Sequence, residues 1–89
     1  MAFVRKNLSV LNYSNGFTLW HYRTEDDAAV VDGVGYFNDA SSMFRIGDFL
    51  LVNTGYSTVP HHGIMVVVGN NDGLVDISNV TSVGLINSD

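Results

Sequence analysis

The run LSVLNYSNGFTLWHYR, residues 8–23, decides the fold class. Residues 8–13 and 17–23 are rich in the aliphatic and aromatic side chains that suit a pleated strand, and Ser14-Asn15-Gly16 separates them. Asn-Gly is the dipeptide best able to fill both positive-φ positions of a type I′ turn, so the stretch predicts a β-hairpin. In its second strand Phe17, Leu19, His21 and Arg23 share one face, while Thr18, Trp20, Tyr22 and Thr24 share the other. Both faces carry bulky groups, as a strand needs when one side packs on a core and the other on a partner.

The rest of the chain extends the same pattern. FLLVN at 49–53 and HGIMVVV at 62–68 predict two further strands, and LVDIS at 74–78 closes a second hairpin across the five-residue loop Gly69 to Gly73. A one-turn element at Asn79–Ser82 and a short strand VGLI at 83–86 follow. Between the first hairpin and the third strand, Thr24 can cap a short helix whose first turn holds Glu25, Asp26 and Asp27, with Asp32-Gly33 ending it. Asn38 or Asp39 can cap another turn, clamped to the sheet by Tyr36, Phe37, Met43 and Phe44. The expectation is one all-β or mainly β domain over residues 1–89, a small barrel or sandwich built from hairpins with one or two short helical turns. Residues 1–7 read as an extended arm.

Composition supports the strand reading and constrains function. The chain has thirteen Val, four Ile and five Thr against four Ala, one Lys, one Glu and no Gln. Such proportions favour strands over helices. Eighty-nine residues bury only roughly 60–65% of the surface the unfolded chain exposes, so a domain of this size has a thin margin of stability. With no cysteine, neither a disulfide nor the usual zinc ligands can reinforce it, which leaves oligomerisation. Charged residues are only 15% of the chain, and a surface low in charge opposes burial against other protein less strongly. The net charge is −5 and no Lys or Arg follows Arg45, so nucleic acid is not an expected partner. The longest continuous apolar run, IMVVV at 64–68, is far short of a bilayer span, and the opening residues lack the pattern of a signal peptide. Neither a membrane nor a leader is expected.

No catalytic or metal motif assembles in the sequence, and the expectation is a protein that is not an enzyme and takes no cofactor. His61 and His62 are adjacent, so on a strand they point to opposite faces and do not chelate one ion together. His21 with one of them and an acid is the only conceivable three-ligand set. Glu25-Asp26-Asp27 suits a helix start or a solvated loop better than paired acid–base work. Gly33-Val34-Gly35 begins a dinucleotide fingerprint that fails at the third glycine. The ten aromatics are more than so small a core needs, which places some of them at contacts. The interface expected on these grounds comprises Phe3, Arg5, Leu8, Trp20, Tyr22, Tyr36 and Phe37, with Trp20 and Tyr22 also candidates for glycan contact.

The stretch from Trp20 to Asp48 resembles small proteins encoded in the structural-gene blocks of tailed bacteriophages and related prophages. They share W-x-Y-x-T-x-D, then G-Y-F-N, then L-x-x-G-D, a valine-rich strand and a terminal G-x-x-x-S-D. Trp20, Tyr22, Thr24, Asp26, Gly35, Tyr36, Phe37, Asn38, Gly47, Asp48, Gly84, Ser88 and Asp89 match, and Phe44 stands in place of the usual leucine. The resemblance spans residues 18–89. It implies a β-rich virion structural protein: a head decoration or cement subunit, often trimeric, bound to the major capsid protein or other virion proteins, with the base of a head fibre or tailspike as the alternative. Residues 1–7 would then reach a neighbouring subunit.

Overall fold

The computed structural model describes residues 3–88. Met1, Ala2 and Asp89, the first two residues of the expected arm and the last residue of the terminal motif, lie outside the described residues. The chain is mainly β: β1 (Leu8–Ser14), β2 (Phe17–Arg23), β3 (Phe49–Thr54), β4 (His61–Asn71), β5 (Leu74–Ile77) and β6 (Thr81–Ser82). They form one sheet in the order β1-β2-β3-β4-β5, with β6 paired to β4.

Both hairpins turn on two residues with positive φ. Asn15 (51°) and Gly16 (81°) join β1 to β2, and Asp72 (54°) and Gly73 (79°) join β4 to β5. The second loop is therefore shorter than the five residues expected. β4 runs on to Asn71, and Asn70, read from sequence as a turn residue, donates from Nδ2 to the carbonyls of Ser41 and Phe44 at 2.7 and 2.8 Å. The C-terminal segment also differs. The strand lies at Thr81–Ser82, where a helical turn was expected, and residues 83–86, expected as a strand, are exposed and form none.

The centre of the sheet holds the main departure from a set of hairpins. β2 and β3 are parallel, with Leu19 opposite Phe49 and Arg23 opposite Asn53. Parallel neighbours require a long crossover. Residues 24–48 provide it, and they lie across one face of the sheet as its second layer. The crossover contains a one-turn helix, α1 (Ala28–Val31), and a 3-10 turn at Asn38–Ala40. Asp27, rather than Thr24, occupies the N-cap position of α1. Thr24 instead prolongs the ladder, donating its N–H to the Asn53 carbonyl at 2.9 Å, while its Oγ1 accepts from Asp26 N at 3.1 Å.

The core lies between sheet and crossover: Trp20, Tyr22, Leu50, Val52, Met65 and Val67 from the strands meet Val31, Phe37, Ala40 and Phe44 from the crossover. Phe37 packs its ring 5.3 Å from Tyr22, 4.9 Å from Tyr36 and 5.6 Å from Phe44, in the tilted or edge-on arrangements aromatic quadrupoles favour. At the rim of this core Gly63 has no room for a side chain, because a Cβ there would meet the Thr81 carbonyl oxygen at 2.8 Å and the Val80 side chain. That contact lets the C-terminal segment lie against β4.

Candidate functional site

Of the residues that carry the bacteriophage resemblance, Trp20, Tyr22, Asp26, Tyr36, Phe37, Asn38 and Asp48 converge on the inner face, where they fasten the crossover to the sheet. Asp48 is fully buried and accepts three hydrogen bonds: from Thr18 N at 3.1 Å, from the Trp20 indole Nε1 at 3.1 Å and from Arg45 N at 3.0 Å. A buried carboxylate is tolerable only with such partners. Here it ties the end of the crossover to β2. A second fastening starts at Val4 N, which donates to the Tyr22 hydroxyl at 3.0 Å. The Tyr22 and Tyr36 hydroxyls lie 2.9 Å apart, and Tyr36 donates to Asp26 Oδ2 at 2.7 Å. Since the Tyr36 proton is directed at Asp26, the proton between the two phenols belongs to Tyr22. Burial, then the bonds to Tyr22 and Asp26, push the Tyr36 phenol well above the ordinary tyrosine range. Asn38 completes the set: its Oδ1 accepts from Val75 N at 2.9 Å, linking the crossover to β5. Among the described residues every buried side-chain nitrogen or oxygen has a partner.

This placement corrects most of the expected interface. Trp20, Tyr22 and Phe37 are core residues, 7%, 0% and 1% exposed, so their rings offer no surface to a protein or a glycan. Tyr36 is half-buried in the phenol–carboxylate chain, and Leu8 packs half-buried against the core. Phe3 stacks on Tyr22 at 5.4 Å and tilts against Phe37 at 5.5 Å. From Phe3 onward the segment read as an arm is therefore folded onto its own domain, and Arg5–Asn7 form a 3-10 turn. Of the seven residues, Arg5 alone is exposed, with a guanidinium nitrogen 3.9 Å from Met43 Sδ. Alternation in β2 identified two bulky faces without indicating which one the crossover covers.

The uncovered face is the other one. Three rows run across β2, β3 and β4: Leu19–Phe49–Val66, then His21–Leu51–Ile64, then Arg23–Asn53–His62. Phe17 flanks the first row, its ring 5.5 Å from that of Phe49. Phe17, Phe49 and Leu51 are 38%, 40% and 36% exposed, and Val68 is 50% exposed. The rows contain no carboxylate. Their one fully charged residue, Arg23, sits at the corner with its guanidinium 3.8 Å over the Tyr56 ring. Acids stand at the margins of this face: Glu25, which accepts from the Tyr56 hydroxyl at 3.3 Å beside the Arg23 corner, and Asp76 on β5, paired with Gly69 beyond Val68.

The imidazoles stand at one end of this face. Asn53 bridges two of them: its Nδ2 donates to His21 Nε2 at 2.9 Å, and its Oδ1 accepts from His62 Nδ1 at 2.6 Å. His61 lies on the opposite side, with Nε2 2.8 Å from Ser82 Oγ. The pair thus separates as adjacent strand residues should. A shallow groove of about 240 Å³ passes His21, Leu51, Asn53, His62, Ile64 and Val83. The acidic triplet also disperses. Glu25 accepts from Ser57 Oγ at 2.6 Å and Tyr56 OH at 3.3 Å, Asp26 faces Tyr36, and Asp27 begins α1. No group of three His, Cys, Asp or Glu among the described residues is arranged to hold a metal ion. A second groove, about 320 Å³, lies between the Gly33–Gly35 turn and β5; Asp32 and Asp76 are its only ionisable lining residues. Among the described residues no helix is long and apolar enough to cross a membrane.

The chain matches no protein-family model, no curated protein and no solved structure.

Proposed function

We propose that this protein is a structural subunit of a bacteriophage virion: a capsid decoration or cement protein that stabilises the head through protein–protein contact. The observation that carries the reading is the open sheet face, which exposes an apolar patch of Leu19, Phe49, Leu51, Ile64 and Val66 with no carboxylate in its rows, on a domain whose opposite face is closed by its own crossover. Exposed apolar surface of this kind marks sites where protein meets protein. The resemblance between Trp20 and Asp48 supplies the virion context, with the major capsid protein as partner and a homo-oligomer, a trimer by that resemblance, as the working form. Its matched residues would be shared because they hold the crossover in place, while contact would occur elsewhere on the surface. A glycan-binding fibre base finds no support in Trp20 and Tyr22, whose rings are buried.

Capsids assembled with and without the protein test the proposal. Heating or osmotic shock should rupture the bare particles first, and added protein should restore their resistance. Equal robustness with and without the protein would overturn the cement role.

A further inference from the structure

We infer that the groove between the Gly33–Gly35 turn and β5 receives Arg5 and Lys6 of a second copy of this chain, so that copies join head to tail. The inference rests on the reading of the chain as a homo-oligomeric subunit and names the contact between its copies. It leaves the open face of β2–β4 to the capsid partner.

The groove, about 320 Å³, has Val34, Leu74, Val75 and Ile77 in its walls, and Asp32 and Asp76 are its ionisable residues. Val34 and Leu74 are exposed, as is Asp76. Asp32 Oδ2 accepts from Val80 N at 3.4 Å, a single long bond that takes only part of a carboxylate's acceptor capacity. Apolar walls with two carboxylates suit a long cationic side chain, whose aliphatic stem lies on the walls while its head meets the acids. A guanidinium does this best, because its planar fork matches a carboxylate. Asp39 in the 3-10 turn and Asp72 in the β4–β5 turn, both exposed, strengthen the negative field around it.

The chain carries the matching cations. Of its four basic residues, Arg23 and Arg45 lie over the rings of Tyr56 and Tyr13. Arg5 and Lys6 are adjacent and exposed on the Arg5–Asn7 turn. That turn is held in place by Phe3, stacked on Tyr22, and by the bond from Val4 N to the Tyr22 hydroxyl. Docking a turn already fixed loses little conformational freedom.

The two halves cannot meet within one chain. The Arg5–Asn7 turn leads into β1 at one edge of the sheet, and the groove borders β5 at the other, across four strand spacings of about 4.8 Å each. They can meet between chains. Copies that each carry −5 repel as wholes, so attraction requires opposite patches to face each other. A contact between unlike patches repeats from copy to copy and closes into a ring where the rotation permits. A ring of three is such a closure, in keeping with the proposed trimer.

Lys6 is the single lysine, which makes zero-length cross-linking the sharpest test. Carbodiimide treatment of the purified protein should yield covalent oligomers in which the Lys6 amine is joined to Asp32 or Asp76 of another chain, as peptide mass spectrometry would show. Size-exclusion chromatography with light scattering supplies the second test. The wild type should run as an oligomer that dissociates as salt screens the contact. Arg5→Glu with Lys6→Glu should fall to the 9.7 kDa of one chain, with association weakened about 100-fold by like charges brought together. Asp32→Lys with Asp76→Lys should do the same, and the chain bearing all four changes should associate again. Near-UV dichroism of Trp20 reports folding; if the Asp32 change misfolds, the cross-link and the exposed Arg5 and Lys6 changes still decide.

A wild type monomeric at every concentration, an oligomer that survives the Arg5 and Lys6 changes, or Lys6 cross-linked between chains only to other carboxylates would each overturn the inference. None of these bears on the capsid. Conversely, an oligomer that meets the test but leaves capsid robustness unchanged removes the virion role and preserves the head-to-tail contact.

Discussion

On the inner side of β2 stand Thr18, Trp20 and Tyr22; on the outer side stand Phe17, Leu19, His21 and Arg23. Side-chain size alone hardly separates the two sets. What separates them is coverage. The inner residues lie beneath a crossover that satisfies each buried polar atom, so the indole of Trp20 and the phenol of Tyr22 are fixed by Asp48 and Tyr36. The outer residues have their in-plane neighbours, the Tyr56 ring at Arg23 and, at one end, the His21–Asn53–His62 bridge. A closed face stores stability in partners that cannot be removed singly, because each loss strands the others without water. An open face stores little in the single chain and has its apolar surface available for contact.

Substitutions should therefore divide by face. The largest effect is expected at Asp48→Ala, which leaves the Trp20 indole N–H and the Thr18 and Arg45 amides without an acceptor and should cost about 3–5 kcal/mol in urea unfolding. That is enough to unfold much of a domain this small. Gly63→Ala should cost about 1–3 kcal/mol by forcing a Cβ toward the Thr81 carbonyl. Faster amide exchange at the β6 end than in β2 would identify this as local opening. Tyr36→Phe should cost about 1–2 kcal/mol by removing the link between Tyr22 and Asp26.

The same tyrosine gives the comparison a pH dependence. The fold favours the neutral phenol, so the Tyr36 contribution is complete below the ordinary tyrosine pKa of about 10 and is lost as pH rises above it toward the elevated folded value. The stability difference between wild type and Tyr36→Phe should narrow accordingly in alkaline urea titrations. A difference that stays constant would mean that the phenol is no harder to ionise folded than unfolded. The smallest effect is expected on the other face. At dilutions where single chains dominate, Leu51→Glu should change the stability of the chain by less than about 1 kcal/mol, as thermal melts would show. A loss as large as that of Asp48→Ala would erase the distinction between closed and open faces.

Much of the local structure was legible in the chain. Asn15-Gly16 forecast its turn because few dipeptides tolerate two positive φ angles, and β3 and β4 followed from runs of branched residues. The end of the chain was less legible. Thr81–Ser82 is a strand only because β4 offers Gly63 and Ile64 as partners, which local composition does not encode. Asn70 was misplaced for a related reason: as a residue type it favours turns, and only its distance to the Ser41 and Phe44 carbonyls makes it a clamp. The candidate site was least legible. Of the aromatics singled out for contact, Trp20, Tyr22 and Phe37 proved to be core and Phe3 and Tyr36 to pack against it, because aromatic content alone does not distinguish a ring that fills a cavity from one that meets a partner.

The sequence by itself determined that β2 would have two bulky faces, that short-range turns would join its hairpins, and that few of the side chains would be charged. The tertiary structure decided which face closes. β2 and β3 pair in parallel, and the long connection this requires must cross one side of the sheet, bringing Asp26, Tyr36, Phe37 and Asp48 down on Trp20 and Tyr22. Covering depends on contacts between residues far apart in the chain, whereas alternation within a strand specifies only that its two sides differ.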